Sequence, residues 1–334
     1  MTPMPRLLIG TLAGVMCLAS SLDATGQALN RWASEWPRTD FGMHSVDLAE
    51  IVSGGPPKDG IPAILAPEFL AAGAVEGLHA NEAVMTLELT GEVPRAYPLR
   101  YLIWHEIVND VIGTHPVAIT WCPLCNSGIV FDRRLNGKTL SFGVSGNLRH
   151  SDMIMYDHQT ESWWQQAVGE AIVGALTGAQ LVQLPGWIEP WGTFLDRNPA
   201  GQVMAAPDYP RNYGRNPYGG YDTSSWPFLY GGEPPPHNIH PLERVVRVED
   251  FAVLLSVLRM SGVLHHNGVE FTWEAGLASP LDAGDVIHGR DIGAVRVRNL
   301  ATGNDLPHDV MFAFAFDAFY PEGEWVIQGD ADPS

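Results

Sequence analysis

The stretch THPVAITWCPLCNSGIVFDR, Thr114–Arg133, carries Cys122 and Cys125 between two apolar runs. Val117–Trp121 and Ile129–Phe131 are rich in β-branched and aromatic residues, so both flanks favour strand. The link between them is Cys122-Pro123-Leu124-Cys125-Asn126-Ser127-Gly128. A CxxC whose second cysteine opens a helix has the thioredoxin pattern, because the helix N-terminus acidifies the thiol. A CPxC turn that folds back into a second strand has the pattern of a metal knuckle. Asn126 and Gly128 tolerate φ > 0 after the second cysteine, and SGIVFD continues as strand, so the knuckle is the better fit.

Outward from this hairpin, the preceding PLRYLIWHEIVNDVIG, residues 98–113, predicts a helix. Pro98 suits its first turn, Leu99, Leu102, Ile103, Ile107, Val111 and Ile112 form a stripe, and Gly113 suits its C-terminus. After the hairpin, short strand-like runs at Thr139–Val144 and Met153–Tyr156 alternate with turns, which predicts a meander. Residues 207–243 are dense in Gly, Pro and Tyr without a period, as expected of a connector wrapped over the protein. EDFAVLLSVLRMSGVLHHNGVEFTW echoes the helix and hairpin of the first part, but Thr272-Trp273 is followed by no cysteine. The expected fold is therefore α+β: a hairpin-rich meander lobe with a few helices over residues 29–206, and a degenerate second copy over 244–334.

The chain has 334 residues and a formal net charge of −19, with 19 basic residues against 38 acidic ones. That balance argues against nucleic acid as a partner and leaves a small molecule or a protein. Arg6, the apolar run Leu7–Leu18 and the small residues Ala19, Ala24 and Gly26 make residues 1–28 a signal peptide, which implies a periplasmic or secreted protein with no integral membrane span after cleavage. A short N-terminal anchor is the alternative, although the run falls below the ~18 residues a span needs. Cys17 leaves with the signal. In an oxidising compartment Cys122 and Cys125 must then be metal-bound, disulfide-bonded or redox-active.

Two thiolates on one tight turn suit copper, as Cu(I), or zinc. His105, on the helix feeding the cysteine strand, is the expected third ligand, and Met155 is a soft candidate that favours Cu(I). Their structural readings are an interior histidine and a core methionine. HEIVN resembles the zinc-protease HExxH with Asn109 in place of the second histidine, which excludes that activity. Glu106 and Asp152 are the candidate catalytic carboxylates, with a surface ion pair and a turn cap as their bland alternatives. Trp163, Trp164, Tyr213, Tyr218 and Tyr221 are candidates to wall a pocket. GVSGN does not match a nucleophile elbow, and no phosphate loop or dinucleotide fingerprint is present.

The stretches IPAILAPEF, AYPLRYLIWHEIVNDVIG, TWCPLCNSGIVFDR, SFGVSGNLRHSDMIMYD, TESWWQQAVGEAIVG and NYGRNPYGGYDTS, spanning about Ile61–Thr223, resemble the bacterial domain of unknown function 3179. The resemblance implies secreted or membrane-associated proteins of mixed α/β fold and no established activity. Asn126 departs from the Gly or small residue frequent there, but it still accepts a left-handed backbone. The leading expectation is an exported metal-binding protein, with a metal-dependent redox enzyme as its catalytic form. The alternatives are a thiol-disulfide oxidoreductase in which Cys122 attacks and Cys125 resolves, and a non-enzymatic binding module with a structural disulfide.

Overall fold

The computed structural model describes residues 31–328; the expected signal peptide lies outside them. The chain is mostly β, with 37% strand and 16% helix, arranged as a five-bladed β-propeller. This overturns the α+β expectation. The repeating unit is a blade, and the chain does not divide into a meander lobe and a degenerate copy.

Blade 1 sets Ile51–Ser53, Phe142–Arg149, Asp152–Asp157, Trp163–Gln165 and Glu170–Val173 side by side. Blade 2, which carries the cysteines, runs Val182–Leu184, Ser127–Asp132, His115–Cys122 and Ile107–Ile112. Blade 3 is built from Gly186–Pro190, Ala83–Leu87, Arg95–Pro98, Gln202–Met204 and Phe69–Ala71. Blade 4 is built from Asp309–Phe312, Arg244–Val248, Phe251–Leu254 and Glu324–Val326. Val263–His266, Val269–Glu274 and Ala294–Asn299 complete blade 5. Blades 3 and 4 share a device: a seven-residue helix follows their first strand, and the next strand returns parallel to its neighbour.

The helix expected over residues 98–113 is the main local correction. It spans only Leu99–His105, and Ile107–Ile112 is a strand paired with His115–Cys122. Ile107, Val108, Val111 and Ile112 are β-branched and fit a pleated surface better than a helix. Glu106 makes the switch at φ 57°, donating its N–H to Leu102 O at 2.7 Å and accepting Trp121 N–H at 2.8 Å. Gly113, at φ 57°, therefore serves the two-residue turn between Ile112 and His115 instead of capping a helix. The segment Ser145–Ser151, between the two expected strands, is likewise mostly strand, with the reversal confined to His150 and Ser151, both at positive φ.

Blades 1, 2, 3 and 4 meet in the largest core among the described residues, which includes Met85, Tyr97, Trp121, Cys122, Cys125, Met153, Met155, Trp164, Phe312, Phe314 and Phe316. Blade 4 holds the cysteine hairpin through backbone and side chain together. Phe312 N–H donates to Cys125 O at 2.8 Å, and Asn126 Nδ2 donates to Val310 O at 2.7 Å. The buried carboxylate of Asp309 accepts Ser127 Oγ at 2.5 Å and Gly128 N–H at 2.8 Å. A Cβ at Gly128 would come within 2.5 Å of Met85 Cε and 3.0 Å of Ile188 Cδ1, so a side chain there would require the end of Met85 to move aside.

Asp309→Ala should lower the unfolding free energy by about 2–4 kcal/mol, because it strands the Ser127 hydroxyl and the Gly128 N–H in the interior. Urea denaturation at unchanged m-value checks this. A loss within about 0.5 kcal/mol would show that the latch contributes little.

Candidate functional site

Blade 2 supplies both cysteines. Cys122 ends its strand, the chain turns through Pro123 and Leu124, and Asn126 N–H donates to Pro123 O at 3.2 Å. Asn126 sits at φ 51°, so the tolerance expected of it is used. The following residues Ser127–Asp132 are strand, and no helix begins at Cys125. Both thiols are free and buried.

Blade 1 supplies the third group. Asp152 is fully buried at the start of its strand, directly after the His150-Ser151 turn. Its Oδ2 accepts Gln165 Nε2 at 2.6 Å and Ala167 N–H at 2.9 Å. Its Oδ1 is buried with no hydrogen-bond partner among the described residues. Ligand atoms of Cys122, Cys125 and Asp152 all lie within 4.8 Å of one another.

The electrostatics follow from burying acids without a cation among them. Burial pushes the Asp152 carboxyl up to about 6, against the opposing effect of the groups that hydrogen-bond to it. Burial also raises the Cys122 thiol, an effect partly offset by hydrogen bonding from Cys125, and drives Cys125 well above the usual thiol range. Glu106 stands close by. Burial lifts its carboxyl from 4.5 to about 8, and the neighbouring Asp152 charge adds to the lift.

His105, the expected third ligand, is held by other partners. His105 ends the short helix with Nδ1 at 2.7 Å from Pro62 O and Nε2 at 2.6 Å from Tyr213 Oη. A carbonyl only accepts, so Nδ1 carries the proton and Nε2 accepts from Tyr213. Burial lowers the His105 pKa and keeps it neutral. Both ring nitrogens are thus engaged away from the sulfurs, and His105 is not in the cysteine cluster. Met155 is fully buried in the core, with Val144 and Trp164 as its cross-strand partners.

A cavity of about 500 Å³ lies beside the cluster, lined by Glu106, Leu124, Asn147, Tyr218, Tyr221 and Phe228 among others. Its roof is the Gly/Pro/Tyr-rich segment. Tyr221 Oη donates to Leu124 O in the cysteine turn at 3.0 Å and accepts Phe228 N–H at 3.2 Å. Ser151 Oγ donates to Phe228 O from the turn beside Asp152. Asp222 of the same segment is buried against Arg244 at 3.0 Å and Ser279 at 2.6 Å. Of the aromatics expected to wall a pocket, Tyr218 and Tyr221 do so, Tyr213 serves His105, and Trp163 and Trp164 are buried. Asn147, Phe228 and Asp309 were not expected at the site. Asp309 has no local signal, being about 180 residues from the turn it holds, and Phe228 lies in a stretch without periodicity.

Fold and site together define a five-bladed propeller protein with a buried cysteine-carboxylate cluster under an aromatic-walled cavity. The chain belongs to the family described as protein of unknown function (DUF3179), which it matches over residues 58–323. Comparison with curated proteins and with solved structures finds no significant match to either.

The Glu106 values fix a sign. Between its unfolded value of 4.5 and its folded value of about 8 the folded state holds the extra proton, so stability falls as pH rises through that window. Glu106→Gln in metal-free protein removes the loss, worth roughly 1.4 kcal/mol per pKa unit at most. The melting temperature of the variant should therefore gain on wild type from pH 5 to pH 8 and level off above. A difference independent of pH would mean that the carboxyl ionises normally.

Proposed function

We propose that the protein is an exported metal-binding protein whose centre is Cys122 Sγ, Cys125 Sγ and Asp152 Oδ1, with Zn²⁺ as the preferred ion and Cu(I) as its competitor. The observation that carries this reading is a buried cluster whose ligand atoms lie within 4.8 Å of one another and in which Asp152 Oδ1 has no neighbour to pair with except the two thiols. An unpaired buried carboxylate oxygen is costly, and a metal ion is the partner that two adjacent thiols would share with it. One hard oxygen beside two soft sulfurs suits zinc better than Cu(I), which favours thiolate and thioether sets. The third ligand is thus revised from the expected one, with Asp152 in place of His105.

Three protein ligands leave one tetrahedral position for a water or substrate atom, the arrangement of catalytic zinc sites. A bound ion would supply Lewis acidity there. Glu106, whose carboxyl titrates near 8, is the group of this chain placed to exchange a proton nearby. The competing thiol-disulfide role is less well supported. It needs an accessible thiol of lowered pKa, whereas both cysteines are buried and raised and strand follows Cys125.

The reduced protein, purified anaerobically, should take up one Zn²⁺ per chain by equilibrium dialysis, more tightly as pH rises because the thiols surrender protons. Cobalt loading should give a sulfur-to-metal charge-transfer band. Cys122→Ser and Asp152→Asn should each weaken zinc by at least the roughly 10–100-fold that outer-shell changes alone cost. Metal-free protein that binds neither zinc nor Cu(I), or zinc affinity unchanged in Asp152→Asn, would sink the assignment.

A further inference from the structure

We propose that the cavity roofed by residues 217–228 is a binding site for a small organic cation, an amine with an apolar or aromatic body. The site adjoins the cysteine cluster without being lined by Cys122, Cys125 or Asp152, so ligand binding here does not depend on the metal. Its volume of about 500 Å³ falls within the range of small-molecule pockets.

Two polar side chains turned to the cavity are unsatisfied by the protein. Glu106 is 7% exposed and Asn147 6% exposed, both line the cavity, and neither side chain has a hydrogen-bond partner among the described residues. A buried polar group without a partner calls for a ligand or water to complete it. The choice of ligand follows from charge. Among the described residues no Lys, Arg or His lines the cavity, which leaves an anionic ligand without a counter-charge. Glu106 is the one acidic residue lining it, and an ammonium N–H donates equally well to that carboxylate and to Asn147 Oδ1.

The walls fit the same class. Tyr218, Tyr221 and Phe228 present aromatic rings, whose faces attract cations, and Leu124, Leu148 and Met153 add apolar surface. Phe228 is 49% exposed and stands at the mouth, where a ligand would cover it. The net charge of −19 draws cations toward the protein and repels anions. Burial together with the Asp152 charge makes Glu106 reluctant to ionise alone, so a cation entering the cavity should displace its proton.

The test is calorimetric titration of the full chain, reduced and stripped of metal, with three probes of one shape: benzylamine, benzyl alcohol and benzoate. Using metal-free protein separates this outcome from that of the zinc experiment. Benzylamine should bind about tenfold or more tightly than benzyl alcohol, and benzoate should not bind. Glu106→Gln should weaken benzylamine about tenfold while leaving benzyl alcohol unchanged, and Phe228→Ala, at an exposed loop position, should weaken both. Proton uptake by buffer should accompany benzylamine binding in wild type and vanish in Glu106→Gln. Equal affinity for the amine and the alcohol, preference for benzoate, no benzylamine binding at millimolar concentration, or an unaltered Glu106→Gln would each overturn the proposal.

Discussion

The carboxylate of Asp309 joins the two parts of the chain on which the site depends. It reaches from blade 4 to accept the Ser127 hydroxyl and the Gly128 N–H, the two donors just past the cysteine turn. A β-hairpin alone leaves such a turn exposed and mobile. Here Asp309, Asn126 and the Cys125 carbonyl seal it against Val310 and Phe312, so both sulfurs end inside the core. The Arg244-Asp222 pair extends this clamp to the connector, because Arg244 Nη2 faces Asn126 Oδ1 at 3.4 Å and Asp222 Oδ2 at 3.0 Å. The buried ion pair has hydrogen-bonded partners on both sides, the condition under which such pairs are tolerated.

With the turn held, burial governs the chemistry. Two thiols and two carboxyls are buried together, and among the described residues no basic side chain lines the cavity beside them. The fold solves the same problem differently at other buried carboxylates. Glu82 is paired with Arg100, Glu189 with Arg197, and Asp110 with Arg95 and Tyr97. Those groups have bland structural explanations. Asp152 Oδ1 and Glu106 do not, and this contrast within one molecule is what supports the proposed centre.

What was legible in the sequence is what has local causes. The cysteine hairpin announces itself through two β-rich flanks and a turn tolerant of positive φ, and both flanks are strands. Asp152 could be named as a candidate but not placed, because its approach to the sulfurs depends on blade 1 packing on blade 2. The helix was overextended because Ile107, Val111 and Ile112 satisfy a period of 3.6 almost as well as a period of 2. Pairing with His115–Cys122, a contact across the hairpin, decides between them. The propeller itself left a faint trace, since its blades contain five, four, five, four and three strands and impose no constant repeat length. The echo that the sequence does carry falls where element order recurs, between the helix Leu99–His105 with the hairpin Ile107–Cys122 of blade 2 and the helix Leu255–Ser261 with the hairpin Val263–Glu274 of blade 5.

Glu106 carries two costs at once. It is a non-glycine residue at φ 57°, and it buries a carboxyl with no partner from the protein. Neither cost is needed to make a helix give way to a strand, since a glycine or asparagine would turn the chain there with less strain. The position does give a unique connection. Its side chain lines the cavity, while its carbonyl holds the N–H of Trp121, the residue before Cys122. One residue thereby belongs to the ligand space through its side chain and to the cysteine strand through its backbone.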